Sequence, residues 1–311
     1  MKTDSRQGIR AHRLARAVRA GLIGGIVIGL GWAGTASAGA QEGEAPPAEE
    51  AKTMEVISVL GSRKQPRTEA NSPVPVDIIS GEEFHNQGLT DVLDQIRTVV
   101  PSLNVNLQPI SDAATLVRPA NLRGLPPDST LVLVNGKRRH RSAVITFLGS
   151  GLSDGSQGPD LSVFPSIGLS QVEVLRDGAA AQYGSDAIAG VINFNLKSDR
   201  EGGAIEVMSG QHYEGDGTTA QVAGNIGLPF SPRGFANLSF EYREADPTDR
   251  SVQRGDAAEV AASGNPNVPN PAQIWGSPEV KRDFKLVANL GLELNDDMDW
   301  YMFGNTASRD I

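Results

Sequence analysis

The chain has 311 residues, a formal net charge of −9 and no cysteine. That length suits two domains or one large one. The missing thiols exclude a disulfide framework and thiolate chemistry, and the acidic balance argues against a nucleic-acid binder, which normally carries a basic face.

Residues 1–38 read as an export signal. Lys2, Arg6, Arg10, Arg13, Arg16 and Arg19 make a basic start, residues 22–32 (LIGGIVIGLGW) are apolar, and Thr35-Ala36-Ser37-Ala38 supplies small side chains. A charged region, a short apolar region and an A-x-A site in that order form a secretory signature. The competing reading is an N-terminal amphipathic helix or anchor, but the apolar run falls short of the roughly 20 residues a spanning helix needs. Cleavage is expected after Ala38, with Ala40 the alternative. Loss of residues 1–38 removes six basic and one acidic side chain and leaves a charge of −14. No later segment is apolar enough for a membrane helix, so the exported chain is periplasmic, secreted or an outer-membrane barrel.

Residues 39–67 read as a flexible arm. Its first part (QEGEAPPAEEAK, 41–52) is acidic, rich in Pro and Ala, and has nothing to bury. Within the arm lies a short apolar island, Glu55-Val56-Ile57-Ser58-Val59 with Leu60 behind it. Such an island is either the first strand of a domain or a peptide that adds a strand to another protein's sheet edge.

Residues 68–197 read as a compact α/β unit. Residues 75–79 (PVDII) form a strand. Ser80 with Glu83 makes a capping box for a short helix that Gly88 ends. Thr90 is expected to cap a second helix, whose apolar positions Val92, Leu93, Ile96, Val99 and Val100 follow helical spacing until Pro101 stops it. TLVLV (130–134) is an unbroken apolar strand of the buried kind, and Asn135-Gly136 is a strong hairpin signal. In VEVLRDGAAAQYGSDAIAGVINFNLK (172–197) a strand is turned by Asp177-Gly178. One helical turn ending at Gly184 follows, and residues 191–196 form the return strand.

From residue 198 the period becomes two. Ile205/Val207, Ala220/Val222/Gly224/Ile226/Leu228, Ala236/Leu238/Phe240/Tyr242 and Phe284/Leu286/Ala288/Leu290/Leu292/Leu294 alternate with polar residues. Strands about ten residues long, apolar on one face, fit an outer-membrane barrel, although a soluble β-sandwich alternates in the same way. The expected connectors run short (212–217), short (229–234), very long (245–279) and short (295–298). Long loops at one end and short turns at the other favour the barrel.

The order of these parts carries a resemblance. An acidic arm with VISV, then NLRG…STLVLVNGKRRH, then VEVLRDGAAAQYGSDAIAGVINFNLK, then alternating strands resembles a TonB-dependent outer-membrane receptor. The resemblance implies an α+β plug domain followed by antiparallel transmembrane strands of an incomplete 22-stranded barrel, the chain being a fragment. It implies energy-coupled uptake of an extracellular ligand such as an iron chelate, cobalamin, carbohydrate or peptide, and no enzymatic activity. Implied partners are TonB of the inner-membrane TonB-ExbB-ExbD complex, outer-membrane lipid and a small ligand. Residues 55–59 resemble the TonB box. Arg123, Glu173 and Arg176 resemble plug–barrel contacts, and Arg139, His140, Ser153, Asp154 and Gln157 are candidates for a ligand-facing apical loop. A passive porin and a secreted ligand-binding β-protein are the alternatives.

Other patterns carry less. Lys137-Arg138-Arg139-His140-Arg141 looks like a nucleic-acid patch, but on an exported acidic chain it is read as neutralising barrel carboxylates or facing a ligand. The glycine-rich run 149–160 lacks both phosphate-loop patterns. His12, His85, His140 and His212 have no metal-ligand spacing, so neither a cofactor nor a metal is expected.

Overall fold

The structure is a computed structural model and describes residues 57–58, 67–68, 76–104, 117–145, 155–176 and 179–311. The signal, Ser153, Asp154, and Glu55, Val56 and Val59 of the arm lie outside the described residues.

The α/β unit is built on five strands: β3 (Val76–Ser80), β6 (Thr130–Val134), β7 (Lys137–Arg138), β8 (Leu169–Leu175) and β9 (Gly190–Leu196). Their order is β3-β8-β9-β6-β7. β8 and β9 pair antiparallel, Val172 opposite Phe194, whereas β6 joins β9 in parallel, Val132 opposite Ile192. A strand with a neighbour on each edge and cover on both faces has no wet side, so all five residues of β6 are buried and four of them are apolar. Asn135 and Gly136 take φ of 47° and 72°, the pair of positive values a tight hairpin requires.

Two helices cover one face. In α1 (Gly81–Asn86) the Ser80 side chain accepts a hydrogen bond from the Glu83 N–H, as the capping box predicts. In α2 (Val92–Val99) the cap is Asp91, not the expected Thr90, and its carboxylate accepts from Leu93 N–H at 2.9 Å. Aspartate wins this position because it both caps and answers a positive neighbour described below. Ile79, Phe84, Leu93, Ile96, Val132, Val174, Ile192 and Phe194 form the core on this side, and Val287 from the following sheet belongs to the same cluster. The other face holds a smaller cluster, Val76, Leu131, Leu133, Leu175, Ala187 and Val191. Beside it runs α3 (Ala180–Tyr183), closed by Gly184 at φ 95°.

The second sheet runs β10 (Gly203–Gly210), β11 (Thr219–Ser231), β12 (Gly234–Ala245), β13 (Val280–Asn295) and β14 (Met298–Asp310), each antiparallel to its chain neighbour. β11 extends to Ser231, so the link to β12 shrinks to Pro232-Arg233, shorter than expected. Residues 211–218 and 246–279 connect strands at one end, and 232–233 and 296–297 at the other. The long connector is ordered as a hairpin extension, with Val252 bridged to Gln273 and a helix α4 (Gly255–Ala262) at its tip. Two further short ladders stand apart. β1 (Ile57–Ser58) pairs with β2 (Arg67–Thr68), and β4 (Leu103–Asn104) pairs with β5 (Asn121–Leu122). Ile57–Ser58 of the arm is therefore not part of the five-stranded α/β sheet.

The two faces of the second sheet differ sharply. Ile205, Val207, Ile226, Leu228, Leu238, Phe240, Leu286, Trp300 and Met302 are exposed on one face. Gln221, Asn225, Asn237, Ser239, Glu241, Asp283, Lys285 and Asn289 are buried on the other, beneath the α/β unit. A soluble sandwich would place its apolar face inward. This inversion answers the question left open by the alternation, since only a hydrocarbon surround accepts that outer face. Among the described residues no helix is long and apolar enough to cross a membrane, which says nothing of strands.

The sheet has two unpaired edges, on β10 and β14, and each unpaired backbone group in hydrocarbon costs several kcal/mol. The 311-residue chain expressed alone should therefore fail to yield a monodisperse, heat-resistant barrel in detergent. Size exclusion with a gel-shift assay checks this, and a single heat-modifiable monomer is the contrary result.

Candidate functional site

The candidate site is the seam between the α/β unit and the polar face of the second sheet. Its centre is a set of charges aligned by strand register. Glu241 on β12 stands opposite Lys285 on β13, and Arg243, Asp283 and Arg309 form the next row across β12, β13 and β14. Lys285 Nζ lies 2.6 Å from Glu241 Oε1, and both side chains are 1% exposed. Arg309 Nη2 lies 3.1 Å from Asp283 Oδ2, and Lys285 reaches the same carboxylate at 3.8 Å. Charges this dry are tolerated only when paired.

The unit answers with its own pair. Arg118 Nη1 donates to Asp91 Oδ2 at 2.6 Å. Burial alone would push the Asp91 carboxyl up, but Arg118, then Lys285 and Arg243 of the wall, and the Leu93 N–H outweigh it and hold the group below its usual value. Asp94, one turn on, goes the other way. Burial and the nearby Asp91 push it up against the pull of Arg118, Arg97 and Arg243. Asp160 fastens Arg118 in place, accepting from its backbone N–H at 3.2 Å and from Ser162 Oγ at 2.6 Å.

Direct bonds cross the seam along its length. Arg309 donates to Ser162 Oγ at 3.0 Å and to Ser162 O at 3.2 Å. Arg139 Nη1 donates to Asn305 Oδ1 at 2.7 Å and stacks its guanidinium 5.2 Å from the Phe164 ring centre. Asn135 Nδ2 donates to Asn289 Oδ1 at 3.3 Å, and Asn289 Nδ2 to Lys197 O at 3.0 Å. At Gly168 a Cβ would sit 2.7 Å from Ser239 Oγ, so glycine there permits the close approach of unit and wall.

The sequence-predicted residues separate into three groups. Arg139, a candidate for ligand contact, follows β7 directly, bonds Asn305 of β14 and lies against Phe164. Arg176, expected to reach a barrel carboxylate, pairs inside the unit with Asp77. Its Nε lies 2.6 Å from Oδ2, and Nη2 donates to Oδ1 at 2.9 Å, because β3 and β8 are neighbours. Glu173 is fully buried and accepts from Gln171 Nε2 at 2.8 Å and Asn195 Nδ2 at 3.2 Å within the unit. Arg123 is exposed at φ 58°, its N–H donating to Ser102 O at 2.7 Å. Gln157 ties two loops, its N–H to Asp128 and its Nε2 to Ser142 O at 2.9 Å. His140 is exposed, its ring bonded to Arg141 O. Asp91, Arg118, Glu241, Asp283, Lys285 and Arg309 were missed. For the four on the wall the available signal was an acidic or basic residue in the polar register of an alternating strand. Among the described residues no group of three or more His, Cys, Asp or Glu is placed to hold a metal ion.

An α/β unit seated on the polar inner face of apolar-coated antiparallel strands is the architecture of a plugged outer-membrane barrel. Residues 68–191 match the family model "TonB-dependent Receptor Plug Domain". The match places a plug domain at residues 68–191, and the strands that follow it share the fold of the solved structures below. The chain is 30% identical over 195 residues to the ferric enterobactin receptor PirA of Pseudomonas aeruginosa, covering 61% of this chain and 25% of that one. It is 28% identical over 238 residues to the ferrienterobactin receptor of Escherichia coli, covering 72% and 31%. Among solved structures, a mutant of the ferric enterobactin receptor PfeA of P. aeruginosa superposes with TM-score 0.55 at 21% identity over 77% of this chain and 33% of that one. The siderophore receptor PirA of Acinetobacter baumannii gives 0.52 at 21%, over 75% and 31%. The chain thus spans about a quarter to a third of the relatives it matches.

Two outcomes follow from the seam. In the full-length protein Lys285→Ala strands Glu241 and should cost roughly 3–5 kcal/mol, whereas Glu241→Leu with Lys285→Met should recover most of that. Arg176→Ala, whose pair is 41% and 21% exposed, should cost under about 1 kcal/mol. Urea denaturation in detergent ranks the three, and Arg176→Ala equalling Lys285→Ala would be the contrary result.

A carboxyl held below its usual pKa stabilises the folded state above that usual value and loses the effect as pH falls through the depressed one. The thermal midpoints of wild type and Asp91→Asn should therefore differ most at neutral pH and converge below pH 3.8, the ordinary value. A gap that stays constant from pH 7 to pH 3 would show that Asp91 does not act as a charge.

Proposed function

We propose that this chain forms the plug and first wall strands of an energy-coupled outer-membrane receptor that takes up an extracellular ligand. The observation that supports it most is the plug seated on a polar inner face while the opposite face is apolar and bare. The longer connectors, 211–218 and 246–279, lie outside the cell, and the short turns 232–233 and 296–297 lie in the periplasm. The ligand is an iron chelate in first place, since relatives are named for ferric enterobactin, with cobalamin second, since one further relative is named a vitamin B12 transporter. The chain acts by transport and not by catalysis. The signal, residues 1–38, directs export and is removed.

Coupling runs through the arm. Residues 55–59 are captured by TonB of the TonB-ExbB-ExbD complex as an added strand, and strand addition works mainly through main-chain hydrogen bonds. Ile57 and Ser58 already pair with Thr68 and Arg67, a pairing independent of the plug sheet. That independence favours a coupling segment over a core strand.

In the full-length receptor, Ile57→Pro removes a donor and fixes φ. It should abolish proton-gradient-dependent uptake while surface expression and ligand affinity stay near wild type. Ile57→Ala should be tolerated. Measuring uptake, binding and expression in one strain checks this. Normal uptake in the proline variant, or binding lost together with uptake, defeats the assignment.

A further inference from the structure

Two connectors leave the wall at its long-loop end, residues 211–218 between β10 and β11 and residues 246–279 between β12 and β13. Arg250 joins them. Its Nη1 donates to Asp216 Oδ2 at 2.5 Å and its Nη2 to Asp216 Oδ1 at 2.9 Å, and Nη2 also lies 3.1 Å from Glu214 Oε2. The Asp249 N–H donates to the same Asp216 Oδ2 at 3.1 Å. Below this fork the Asp246 N–H donates to Thr218 O at 2.8 Å. Gly217 takes φ 62°, and a Cβ there would sit 2.6 Å from Thr248 Cγ2, so the first connector lies directly against the second.

An isolated exposed ion pair holds little. A guanidinium fork on one carboxylate is a stronger tie, because both bonds form in a single preorganised geometry. Its hydrogen bonds draw the Asp216 carboxyl down to about 2, so the group stays charged at neutral and mildly acidic pH. The second connector carries the tie upward. The Arg250 N–H donates to Trp275 O at 2.7 Å, Val252 and Gln273 exchange backbone bonds at 2.9 and 3.1 Å, and the Ala272 N–H donates to Gln253 Oε1 at 2.6 Å. This ladder reaches the foot of α4. The short-turn end offers a contrast: Arg233 reaches Asp296 through a single 3.2 Å contact, and that carboxylate is 94% exposed.

We propose that Arg250 fastens the two long-end connectors into one rigid body, a fixed post at the mouth of the receptor and not a flap that folds over an arriving ligand. Arg250 is a positioning residue in this device, acting through Asp216 and Glu214. That the post stands at the outer mouth rests on the receptor reading above, whereas the fastening does not. Closure over a ligand must then come from elsewhere on the rim.

The test measures the distance between the connectors in the full-length protein in detergent. This chain has no cysteine, so nitroxide labels can be placed at Tyr213→Cys on the first connector and Ala261→Cys in α4, both exposed, once any cysteine beyond the chain is replaced. Pulsed electron spin resonance should give one narrow distance distribution. Arg250→Gln should at least double its width, and Asp216→Asn should do the same from the other side of the fork, which also covers the case of one variant failing to fold. Arg250→Lys should recover part of the order, because the charge returns without the fork. Arg254→Gln should leave the width unchanged, since Arg254 pairs with Asp256 inside the second connector alone. A broad or multiple distribution in the parent, an unchanged width in Arg250→Gln and Asp216→Asn, or equal broadening in Arg254→Gln overturns the post. Failure of a membrane-impermeant maleimide to label Tyr213→Cys on intact cells would instead sink the outward placement of these connectors.

Discussion

The inner face of the wall carries Lys285 and Glu241 in contact and almost free of solvent, with Asp283 and Arg309 in the next row. These charges are dry only because the plug lies on them. Facing lipid, a single Lys or Arg at mid-depth costs roughly 2–4 kcal/mol. Facing an empty lumen, the same groups would be hydrated and loosely held. The plug thus creates the low dielectric in which the pairs bind tightly, and the pairs in turn fix where the plug sits. Removing either side changes the physical meaning of the other.

That mutual dependence explains why the seam mixes interactions of different kinds. The core cluster of the plug extends across it to Val287, giving an undirected apolar contact. Arg139 with Asn305, Arg309 with Ser162 and Asn135 with Asn289 are directional and set register. The Asp91–Arg118 pair acts at slightly longer range on Lys285 and Arg243. A displaced plug would lose the directional contacts within an ångström or two and the electrostatic ones more gradually. The loss of grip would therefore be graded along the seam.

Local signals were readable in the sequence because they depend on near neighbours. The capping box at Ser80, the Asn135-Gly136 turn, the buried run of β6, the helical turn ended by Gly184 and the alternation of the wall all appear where expected, while the Asp177-Gly178 turn lies outside the described residues. Destinations of long polar side chains were not readable. Arg139 and Arg176 carry the same charge in similar local settings, and only the tertiary arrangement sends one to the wall and the other to Asp77. Asp91, a strong N-cap in its own right, displaced Thr90 as the helix cap and also pairs with Arg118, 27 positions away. The inner-face charges were visible as polar residues in an alternating pattern, but which of them would meet required the register of three strands.

The contrast in strand order bears on how the chain assembles. Every strand of the wall pairs with the one just before or after it in sequence, so the wall can grow by adding hairpins to an edge, each closing a short loop except across residues 246–279. The plug has no such path. β6 must wait for β9, with β8 and its connections synthesised between them, before its parallel ladder exists. Non-local pairing of this kind pays loop-closure entropy before any contact repays it and is correspondingly slow. A nascent chain therefore faces an order-of-events problem: a wall able to zip up quickly, and a plug that must reach its own topology before the wall closes around it.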